Sequence, residues 1–468
     1  GVSQSIPLSF SPDLVWTKSR AGNYEPQIFD KVRGDDQEMS TNVARASRNL
    51  AGSFTFNDDG FTLPSSNNNA NYGTGASVAW AWDGGEATTS IAAGGLNSSA
   101  YDQSATWSTS GTMSGFSTTG TYDFAHLFNG VLGKDTPGTA NQMTSPSGGS
   151  GTWTYTINNV TEFKIRLYVP GSTHATANSI KINGSDIVQA QILDKGLSND
   201  AWHTVTVPGI TTFTSLFVED NYWYVSNIYI NGKELVDSGV TPPTNVPSIA
   251  STVRANPSAG CSIATWTGQS SGSATVGHGL NAAPEFIIVK GRTGSVGWTV
   301  GHESLGWTKR LKLNGTDAES TSSNYWNDTA PTSSVFTSGA NNVSNTFVAY
   351  CFAPVEGYSA FGSYEGNGMA DGPFVYTGFQ PRWIIIKNVD NSGTGYDWFI
   401  FDTARDTYNV ADLSLSANAS TAEVDSDSLD ILSNGFKLRA TTNGINLNLH
   451  THVWGAFAEN PFKSARGR

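Results

Sequence analysis

Three short stretches with the same order of polar and apolar residues recur along the chain. Each begins with proline and one polar residue, continues with four mostly apolar residues and ends with lysine: Pro12–Lys18, Pro284–Lys290 and Pro381–Lys387. The apolar runs are short and rich in β-branched and aromatic residues, which is typical of buried strands. A proline at the first position of a strand costs no ladder hydrogen bond. The pattern therefore predicts three buried strands that begin in the same way.

The likeness continues downstream of each stretch. The segments close with alternating aromatic strands at Val78–Trp82, Val348–Phe352 and Val453–Phe457. Between these ends, Asp59-Gly60 and Asn434-Gly435 supply the positive φ angles that tight hairpins need. Each segment spans about 70 residues, the length of a small domain rather than of a solenoid repeat. We therefore expect three related modules that superpose as the same β-sandwich.

The second and third segments share a preceding strand that the first lacks. This strand is predicted at Ile263–Gly268 and at Phe374–Gly378. The chain begins with Gly1, and its first 20 residues contain no charged region followed by an apolar run, so we expect no signal peptide. Two explanations stay open: the chain is a fragment or matured product, or its first copy is atypical because it is terminal.

The block between the first and second segments carries none of these motifs. Its polar and apolar residues alternate, which predicts half-buried antiparallel strands separated by Asn-Gly and Pro-Gly turns. Many short strands at even spacing indicate a β-sandwich. The predicted strands are Trp153–Ile157, Phe163–Val169, Trp202–Val207, Leu216–Val218 and Tyr224–Ile230.

These patterns predict an all-β protein of tandem β-sandwich modules, three of them related, with an inserted jelly-roll-like β-sandwich. A glycine-rich linker is expected at residues 83–95 and a joint at 357–369. The predicted domains are a first module at 1–85, an inserted sandwich at 96–240, a proline-rich linker at 241–257, a second module at 258–357, and a third module at 372–468 with a basic tail (Lys463, Arg466, Arg468).

Composition and charge narrow the function classes. The 468 residues carry a net charge of -13, which disfavours nucleic-acid binding because phosphates would be repelled. The sequence has no run of 18 apolar residues, so a membrane span is not expected. Cys261 and Cys351 are too few for a disulfide scaffold or a cysteine zinc cluster. They are either one disulfide or, as we expect, two reduced buried thiols.

Catalytic motifs are scarce. The sequence contains no Gly-x-Ser-x-Gly elbow, phosphate loop or dinucleotide fingerprint. Glu219 and Asp220 are adjacent, and adjacent strand residues face opposite sides, so they do not form a carboxylate pair for glycoside hydrolysis. The sequence predicts neither an enzyme nor a cofactor.

Two groups of residues are weak candidates for metal ligands. His450 and His452 would share one face of a strand, whereas hydrogen-bonded or solvated histidines are the expected alternative. Asp425, Asp427 and Asp430 offer carboxylates for calcium but lack the glycine and glutamate of an EF-hand. We expect a turn there.

Binding is the better candidate activity. The adjacent pairs Trp202-His203 and Trp223-Tyr224 in the inserted sandwich can present aromatic faces to the CH surfaces of sugar rings. The alternative is that these aromatic residues belong to the sandwich core. Glycan stacking is therefore the candidate role of these four residues.

Several quoted motifs resemble a repeat module of bacteriophage virion structural proteins, especially those of marine cyanophages, commonly described as tail fibre proteins. The similar segments are Cys261–Gly268, Ala274–Leu280, Pro284–Arg292, Asp371–Gly378 and Gly455–Phe462. In addition, Ile228–Lys233 resembles a hairpin of lectin-like jelly rolls in phage adhesins. The resemblance covers residues 1–85 and nearly everything after 258. It marks strands rather than an active site.

This resemblance implies a virion structural protein, and we expect a tail fibre or tail-associated host-attachment protein. The alternatives are a capsid decoration or head-fibre protein and a polysaccharide-degrading tailspike. Expected partners are other virion proteins, a host-surface glycan and further copies of the chain. We expect a symmetric homo-oligomer because strings of small sandwiches expose strand edges and aromatic surface. That it is a homotrimer is implied by the resemblance, since phage fibres of this kind are usually trimers. Assembly would take place in the host cytoplasm, and the final location is the virion.

Overall fold

A computed structural model describes residues 2–65, 69–71, 75–94, 101–131, 144, 146, 149–171, 179–219, 223–240, 246–340, 345–442 and 444–458, apart from the side chains of 426 and 427. Strands dominate, most of them antiparallel, and the prediction of an all-β protein is confirmed. No helix in these ranges is long and apolar enough to cross a membrane.

The elements follow in chain order. The first strands are β1 (Gln4–Pro7), β2 (Leu14–Ser19), β3 (Gln27–Asp30), β4 (Gln37–Ser40), β5 (Arg48–Asn49), β6 (Thr55–Asn57), β7 (Gly60–Leu63), β8 (Ser77–Trp82) and β9 (Thr88–Ile91). The next are β10 (Tyr101–Asp102), β11 (Thr112–Ser114), β12 (Ser150–Asn158), β13 (Phe163–Val169), β14 (Ile180–Ile182), β15 (Ser185–Asp186), β16 (Ala201–Thr206), β17 (Thr212–Glu219), β18 (Tyr224–Ile230) and β19 (Lys233–Leu235).

The remaining strands complete the chain. They are β20 (Ser251–Asn256), β21 (Cys261–Thr267), β22 (Ala274–Gly277), β23 (Phe286–Gly291), β24 (Trp298–His302), β25 (Lys309–Lys312), β26 (Ser320–Thr321), β27 (Val335–Ser338), β28 (Thr346–Phe352), β29 (Ser359–Glu365), β30 (Phe374–Tyr376), β31 (Trp383–Asn388), β32 (Phe399–Asp402), β33 (Ala411–Ser416), β34 (Val424–Leu432), β35 (Gly435–Leu438) and β36 (Thr451–Phe457). Helical turns are short: 3-10 at Trp107–Thr109, Phe124–Phe128 and Glu303–Leu305, π at Gln189–Leu193, and α1 at Ser323–Trp326.

The chain divides into two compact units. Unit 1 contains residues 1–93 and 247–468, and unit 2 contains residues 94–246. The predicted inserted sandwich at 96–240 falls inside unit 2. The predicted first, second and third modules all fall inside unit 1.

Unit 2 is a sandwich of two five-stranded sheets, ordered β10-β19-β18-β13-β16 and β11-β12-β17-β14-β15. Its core contains the inward residues of both sheets, including Trp153, Leu167 and Trp223. In β13 the burial of residues alternates strictly along the strand, as expected when one face of a sheet packs on a core. All five strands predicted in this block are present.

Unit 1 contains three sheets that each include one of the three proline-led strands. We call them the β2 sheet (β5-β4-β3-β2-β8), the β23 sheet (β26-β25-β24-β23-β28-β21-β20-β9) and the β31 sheet (β29-β36-β31-β32-β33-β34-β35-β30). In each sheet, the proline-led strand lies between the next strand of the chain and the predicted closing aromatic strand. The registers match: Leu14 faces Trp82, Phe286 faces Phe352, and Trp383 faces Phe457.

The three sheets bury one face each in a single shared core. Trp16 from β2, Ile288 from β23 and Ile385 from β31 all belong to it. Trp82 lies 5.6 Å from Trp383 between ring centroids, and Phe352 lies 5.3 Å from Phe457. The three predicted modules therefore share their apolar faces in one core. Their origin as structural repeats stays a prediction.

The lysine that ends each proline-led stretch ties its sheet to a neighbouring one. Burial lowers the pKa of each of these three amines to about 8. Each ammonium donates to a backbone carbonyl in a loop of another sheet, so the three contacts close a ring. The contacts are Lys18 to Ala419 (3.0 Å), Lys290 to Ala44 (3.3 Å) and Lys387 to Thr316 (3.3 Å).

A second set of bonds follows the same ring. In each case, the carbonyl two residues after the lysine accepts from a backbone N–H in that same neighbouring loop. The bonds are Glu423 to Arg20 (2.9 Å), Ser47 to Arg292 (2.9 Å) and Glu319 to Val389 (2.7 Å). The three sheets are thus connected by matching contacts at matching positions.

Several predicted linkers are strands instead. The glycine-rich linker contains β9, which pairs with β20, and β20 itself lies within the predicted proline-rich linker. The joint at 357–369 contains β29, which pairs with β36 along seven residues. These strands are held by distant partners rather than by a local apolar pattern, so the sequence did not reveal them. Residues 241–245 and the basic tail lie outside the described residues.

The predicted shared leading strand is also wrong. Ile263–Gly268 belongs mostly to β21, which pairs with the closing strand β28, whereas Phe374–Tyr376 forms β30, which pairs with β35. By its pairing, β30 corresponds to β1, which lies against β7. By the same criterion, β21 corresponds to β29.

Candidate functional site

The outward face of one sheet in unit 2 carries the best candidate site. In β13 the residues Phe163, Ile165 and Leu167 are buried in the core, so Arg166 and Tyr168 point to the opposite face. The strand register places Tyr168 directly between Trp202 on β16 and Tyr224 on β18. Three aromatic side chains from three neighbouring strands therefore form one row.

The rings of this row contact one another. The centroids of Tyr168 and Trp202 are 5.6 Å apart at 67°, and those of Tyr168 and Tyr224 are 6.1 Å apart at 70°. Tyr122 extends the row, with its ring 5.4 Å from that of Tyr224. All four are half-buried, so part of each ring reaches solvent. We call Tyr122, Tyr168, Trp202 and Tyr224 the aromatic patch.

Polar groups surround the aromatic patch. The guanidinium of Arg166 lies 5.8 Å from the ring of Trp202 and donates to the hydroxyl of Thr204 (3.2 Å). Burial, together with the nearby Asp200 carboxylate that accepts its hydrogen bond, raises the pKa of the Tyr168 hydroxyl. Aromatic rings beside fixed hydrogen-bonding groups are what a sugar ring requires, since it has an apolar CH face and polar edges.

A buried carboxyl group lies on the same sheet. Glu234 on β19 accepts from the amide of Asn227 (2.7 Å), and both side chains are almost fully buried. The hydroxyl of Tyr229 also bonds to this carboxyl group. Burial raises the pKa of Glu234 to about 7. These hydrogen bonds satisfy the buried carboxyl group, and the positive charge of Arg166 opposes the effect of burial on its pKa.

The structure brings together two of the four residues predicted to bind a ligand. Trp202 and Tyr224 both belong to the aromatic patch. His203 is paired with the inward-facing Leu167 and bonds to the carbonyl of Ser198 (2.9 Å), so it lies away from that row. Trp223 is fully buried in the unit 2 core, so the prediction that it stacks on a ligand is wrong.

Sequence reasoning missed Tyr168, Arg166 and Tyr122. The signal for the first two was available, because they occupy outward positions of a strand whose inward residues are all apolar. Adjacency of aromatic residues was the wrong criterion, since neighbours along a strand face opposite sides. Tyr122 lies in a turn before a 3-10 helix, where no periodicity applies.

The weak metal candidates are placed as follows. His452 is buried, stacks on Tyr364, and has both ring nitrogens in hydrogen bonds, to Asn388 (3.2 Å) and to the carbonyl of His450 (3.0 Å). Burial lowers the pKa of His452 to about 4. His450 Nδ1 lies 3.8 Å from a carboxylate oxygen of Asp390.

The acidic run Asp425–Asp430 forms part of β34, not the predicted turn. Asp430 binds Arg439 at 2.6 Å, and the side chain of Asp427 and residue Asp220 lie outside the described residues. In the ranges that the structure describes, no group of three or more histidine, cysteine, aspartate or glutamate side chains is placed to hold a metal ion. Cys261 and Cys351 are free and buried.

Comparisons with known proteins give one match. A family model described as "Domain of unknown function (DUF7483)" matches residues 1–189 and 209–461. No curated protein and no solved structure matches the chain.

Proposed function

The chain belongs to the DUF7483 family, and from its residues we propose that it is a structural protein of a bacteriophage virion that attaches to host-cell carbohydrate. In this proposal unit 1 is a scaffold mounted on the virion, as a tail fibre or tail-associated protein, and unit 2 binds the glycan. The virion assignment is supported by the resemblance of segments such as Pro284–Arg292 and Gly455–Phe462 to phage repeat modules.

The aromatic patch is the observation that carries the binding part of the proposal. Trp202 and Tyr224 flank Tyr168 on one face, with rings partly open to solvent and with Arg166 and Asp200 beside them. A row of half-buried rings on a sheet suits an extended chain of sugar residues better than a small ligand that binds inside a deep, enclosed pocket. Weak stacking at one chain becomes firm attachment when many copies act on one particle.

A second candidate is a capsid decoration or head-fibre protein. The observation that favours it is the shared core of unit 1, in which Trp82, Phe352 and Phe457 already cover one another within one chain. Aromatic faces that are buried inside a monomer do not need further copies to protect them. The homotrimer therefore stays a prediction, and the burial of these aromatic residues within one chain removes exposed aromatic surface as a reason for it. Light scattering tests it: a stable mass near 49.7 kDa contradicts the trimer.

A glycan array tests the binding activity. The intact chain should bind a limited set of bacterial surface glycans, and Trp202→Ala should weaken binding by about 1–3 kcal/mol, or roughly 5- to 150-fold, through lost stacking. Tyr376→Ala is the matched control, because Tyr376 is an exposed aromatic residue on β30 of unit 1, outside unit 2. Equal binding by both variants, with unit 2 still folded by circular dichroism, would remove the aromatic patch from the proposal.

A further inference from the structure

The three sheets of unit 1 differ at one edge. Their strand orders align from β5-β4-β3-β2-β8 to β26-β25-β24-β23-β28 and to β34-β33-β32-β31-β36. Beyond β28 the β23 sheet continues with β21, and beyond β36 the β31 sheet continues with β29. In the described part of the chain, no strand pairs with the corresponding edge of β8. The β2 sheet is therefore one strand short.

The burial of β8 reflects this open edge. In β28 and β36 every residue after the first is buried, whereas Ser77 is exposed and Val78, Ala79 and Ala81 are half-buried in β8. A cavity of about 310 Å³ lies beside Trp80 and Trp82, and another of about 460 Å³ lies beside Ala79 and Ala81. The edge thus has open space on both faces of the sheet.

The backbone of this edge is oriented for pairing. The N–H of Arg20 donates to the carbonyl of Ala76 (2.8 Å), and the N–H of Asp13 donates to that of Trp82 (2.9 Å). Since backbone direction alternates along a strand, even-numbered residues of β8 face β2. Ala79 and Ala81 therefore direct their N–H and C=O groups outward, as a template for an added strand.

The two occupied edges define what such a strand looks like. At matching register, β21 reads Cys-Ser-Ile-Ala-Thr-Trp and β29 reads Ser-Ala-Phe-Gly-Ser-Tyr. Both have small residues at positions one, two and four, an apolar residue at three, a hydroxyl residue at five and an aromatic residue at six. The third residue lies opposite Tyr350 in one sheet and opposite Gly455 in the other. Its counterpart at the open edge lies opposite Trp80.

The cavity walls fit this pattern. Phe361, the third residue of β29, packs on Phe286 with ring centroids 5.7 Å apart, and next to His302 at 6.5 Å. By register, the residues equivalent to Phe286 and His302 in the β31 sheet are Trp383 and Asp402, and both line the smaller cavity. The sixth residue would lie opposite Ser77, which lines the larger cavity.

We propose that the edge of β8 binds an extended strand of another protein, added antiparallel, with the pattern small-small-(Ile/Phe)-small-(Ser/Thr)-(Trp/Tyr). The apolar third side chain fills the cavity beside Trp80, the aromatic sixth side chain fills the cavity beside Ser77, and main-chain hydrogen bonds form at Ala79 and Ala81. Within the described residues, the two segments with this pattern are already paired with β28 and β36, so neither of them supplies the added strand.

A labelled peptide tests the proposal on the full chain. The peptide Ser-Ala-Phe-Gly-Ser-Tyr-Glu, acetylated and amidated, should bind saturably by fluorescence anisotropy. Ala79→Pro removes an outward N–H and should weaken binding by about tenfold or more, whereas Ala79→Ser, which keeps this N–H, should leave it nearly unchanged. The same peptide with aspartate at position three should not bind, because its carboxylate would lie against the rings of Trp80 and Trp383 and beside the carboxylate of Asp402.

The peptide control keeps the test decisive even if Ala79→Pro does not fold. Hydrogen exchange on the unaltered chain adds a second measurement: the peptide should slow exchange at Ala79 and Ala81. Three outcomes overturn the proposal: no saturable binding, equal binding of the aspartate peptide, or unchanged exchange at these two amides. Concentration-dependent dimers that Ala79→Pro abolishes would also overturn it, since the edge would then belong to a second copy.

Discussion

Asp30→Asn is the substitution that most sharply tests how unit 1 is stabilised. Asp30 and Arg33 form an ion pair in which both side chains are fully buried. The guanidinium also donates to the carbonyls of Ile28 (3.1 Å) and Gln37 (2.7 Å), and the Tyr350 hydroxyl of the β23 sheet donates to Asp30 (2.7 Å). Asparagine keeps the size of the side chain but leaves a buried positive charge without its counter-charge. Such a loss costs about 3–5 kcal/mol.

The β31 sheet contains an internal comparison. Asp402 and Arg405 repeat the same spacing, with a contact of 2.6 Å, but Arg405 also binds the carboxylate of Glu423 at 2.8 Å. Asp402→Asn leaves this second carboxylate in place, so we expect a loss of about 1–3 kcal/mol, the cost of a hydrogen bond to a charged group. The β23 sheet has His302 and Leu305 at these two positions, so no ion pair is required there.

Urea unfolding followed by tryptophan fluorescence and circular dichroism measures these differences. The midpoint urea concentration for unfolding of unit 1 should fall furthest in Asp30→Asn and less in Asp402→Asn. The dependence of the unfolding free energy on urea concentration should stay unchanged in both variants. The double variant Asp30→His/Arg33→Leu imitates the β23 sheet and should recover most of the loss. If Asp30→Asn unfolds within about 1 kcal/mol of the natural chain, or if Asp402→Asn costs more, the reasoning is refuted.

Three further predictions concern buried polar groups. The pKa of Glu234 is about 7 in the folded chain against an ordinary value of 4.5, so the unfolded chain loses this proton at lower pH than the folded chain. The free energy of unfolding should therefore fall by up to about 3 kcal/mol as the pH rises from 4.5 to 7. Glu234→Gln should remove this pH dependence when denaturation is measured over the same range. The pKa of Lys387, about 8 against an ordinary 10.5, has the opposite consequence, because the folded chain releases this proton first and stability from this group should rise between pH 8 and 10.5. Lys18 and Lys290 titrate in the same window, so the pH profile of Lys387→Met should show a smaller rise than that of the natural chain, not a flat line. The indole of Trp398 donates to the carbonyl of Lys312 (2.8 Å), so Trp398→Phe should cost at least about 1 kcal/mol by thermal unfolding, and no measurable shift would count against this contact.

The sequence was sufficient for elements with strong local patterns. The β13 strand was predicted correctly because one face meets a core and the other meets solvent, which forces alternation. The proline-led strands were predicted correctly because both of their faces are buried, as for β31, whose residues are all buried. Both patterns are set by the residues of a single strand, so they can be recognised in the sequence without knowing which strands are its neighbours.

Features that depend on distant partners were not predicted. Strands β9 and β29 contain many small or polar residues, and they form because β20 and β36 offer hydrogen-bonding edges. That all three sheets of unit 1 share one core was not predicted for the same reason, since an apolar strand does not reveal which sheet it faces. One signal was present but unused: the spacing Asp-x-x-Arg recurs at Asp30 and Asp402 and marks the two buried ion pairs.

The same distinction applies to the candidate site. Trp202 and Tyr224 were identified by residue type, but the row through Tyr168 follows from pairing across three strands. Trp223 was named as a candidate for glycan stacking, with the sandwich core as the alternative, because its residue type alone does not show which face it lies on. Alternation with the outward Tyr224 predicts the core, where Trp223 lies.

Immunogold electron microscopy of intact phage particles, with an antibody raised against the purified chain, tests the central claim most directly. We predict gold at the tail or tail fibres, with labelling that the free purified chain competes away. Labelling confined to the capsid surface would support the decoration protein instead. Particles that carry no label, although the antibody detects the chain in infected cells, would contradict a virion structural protein.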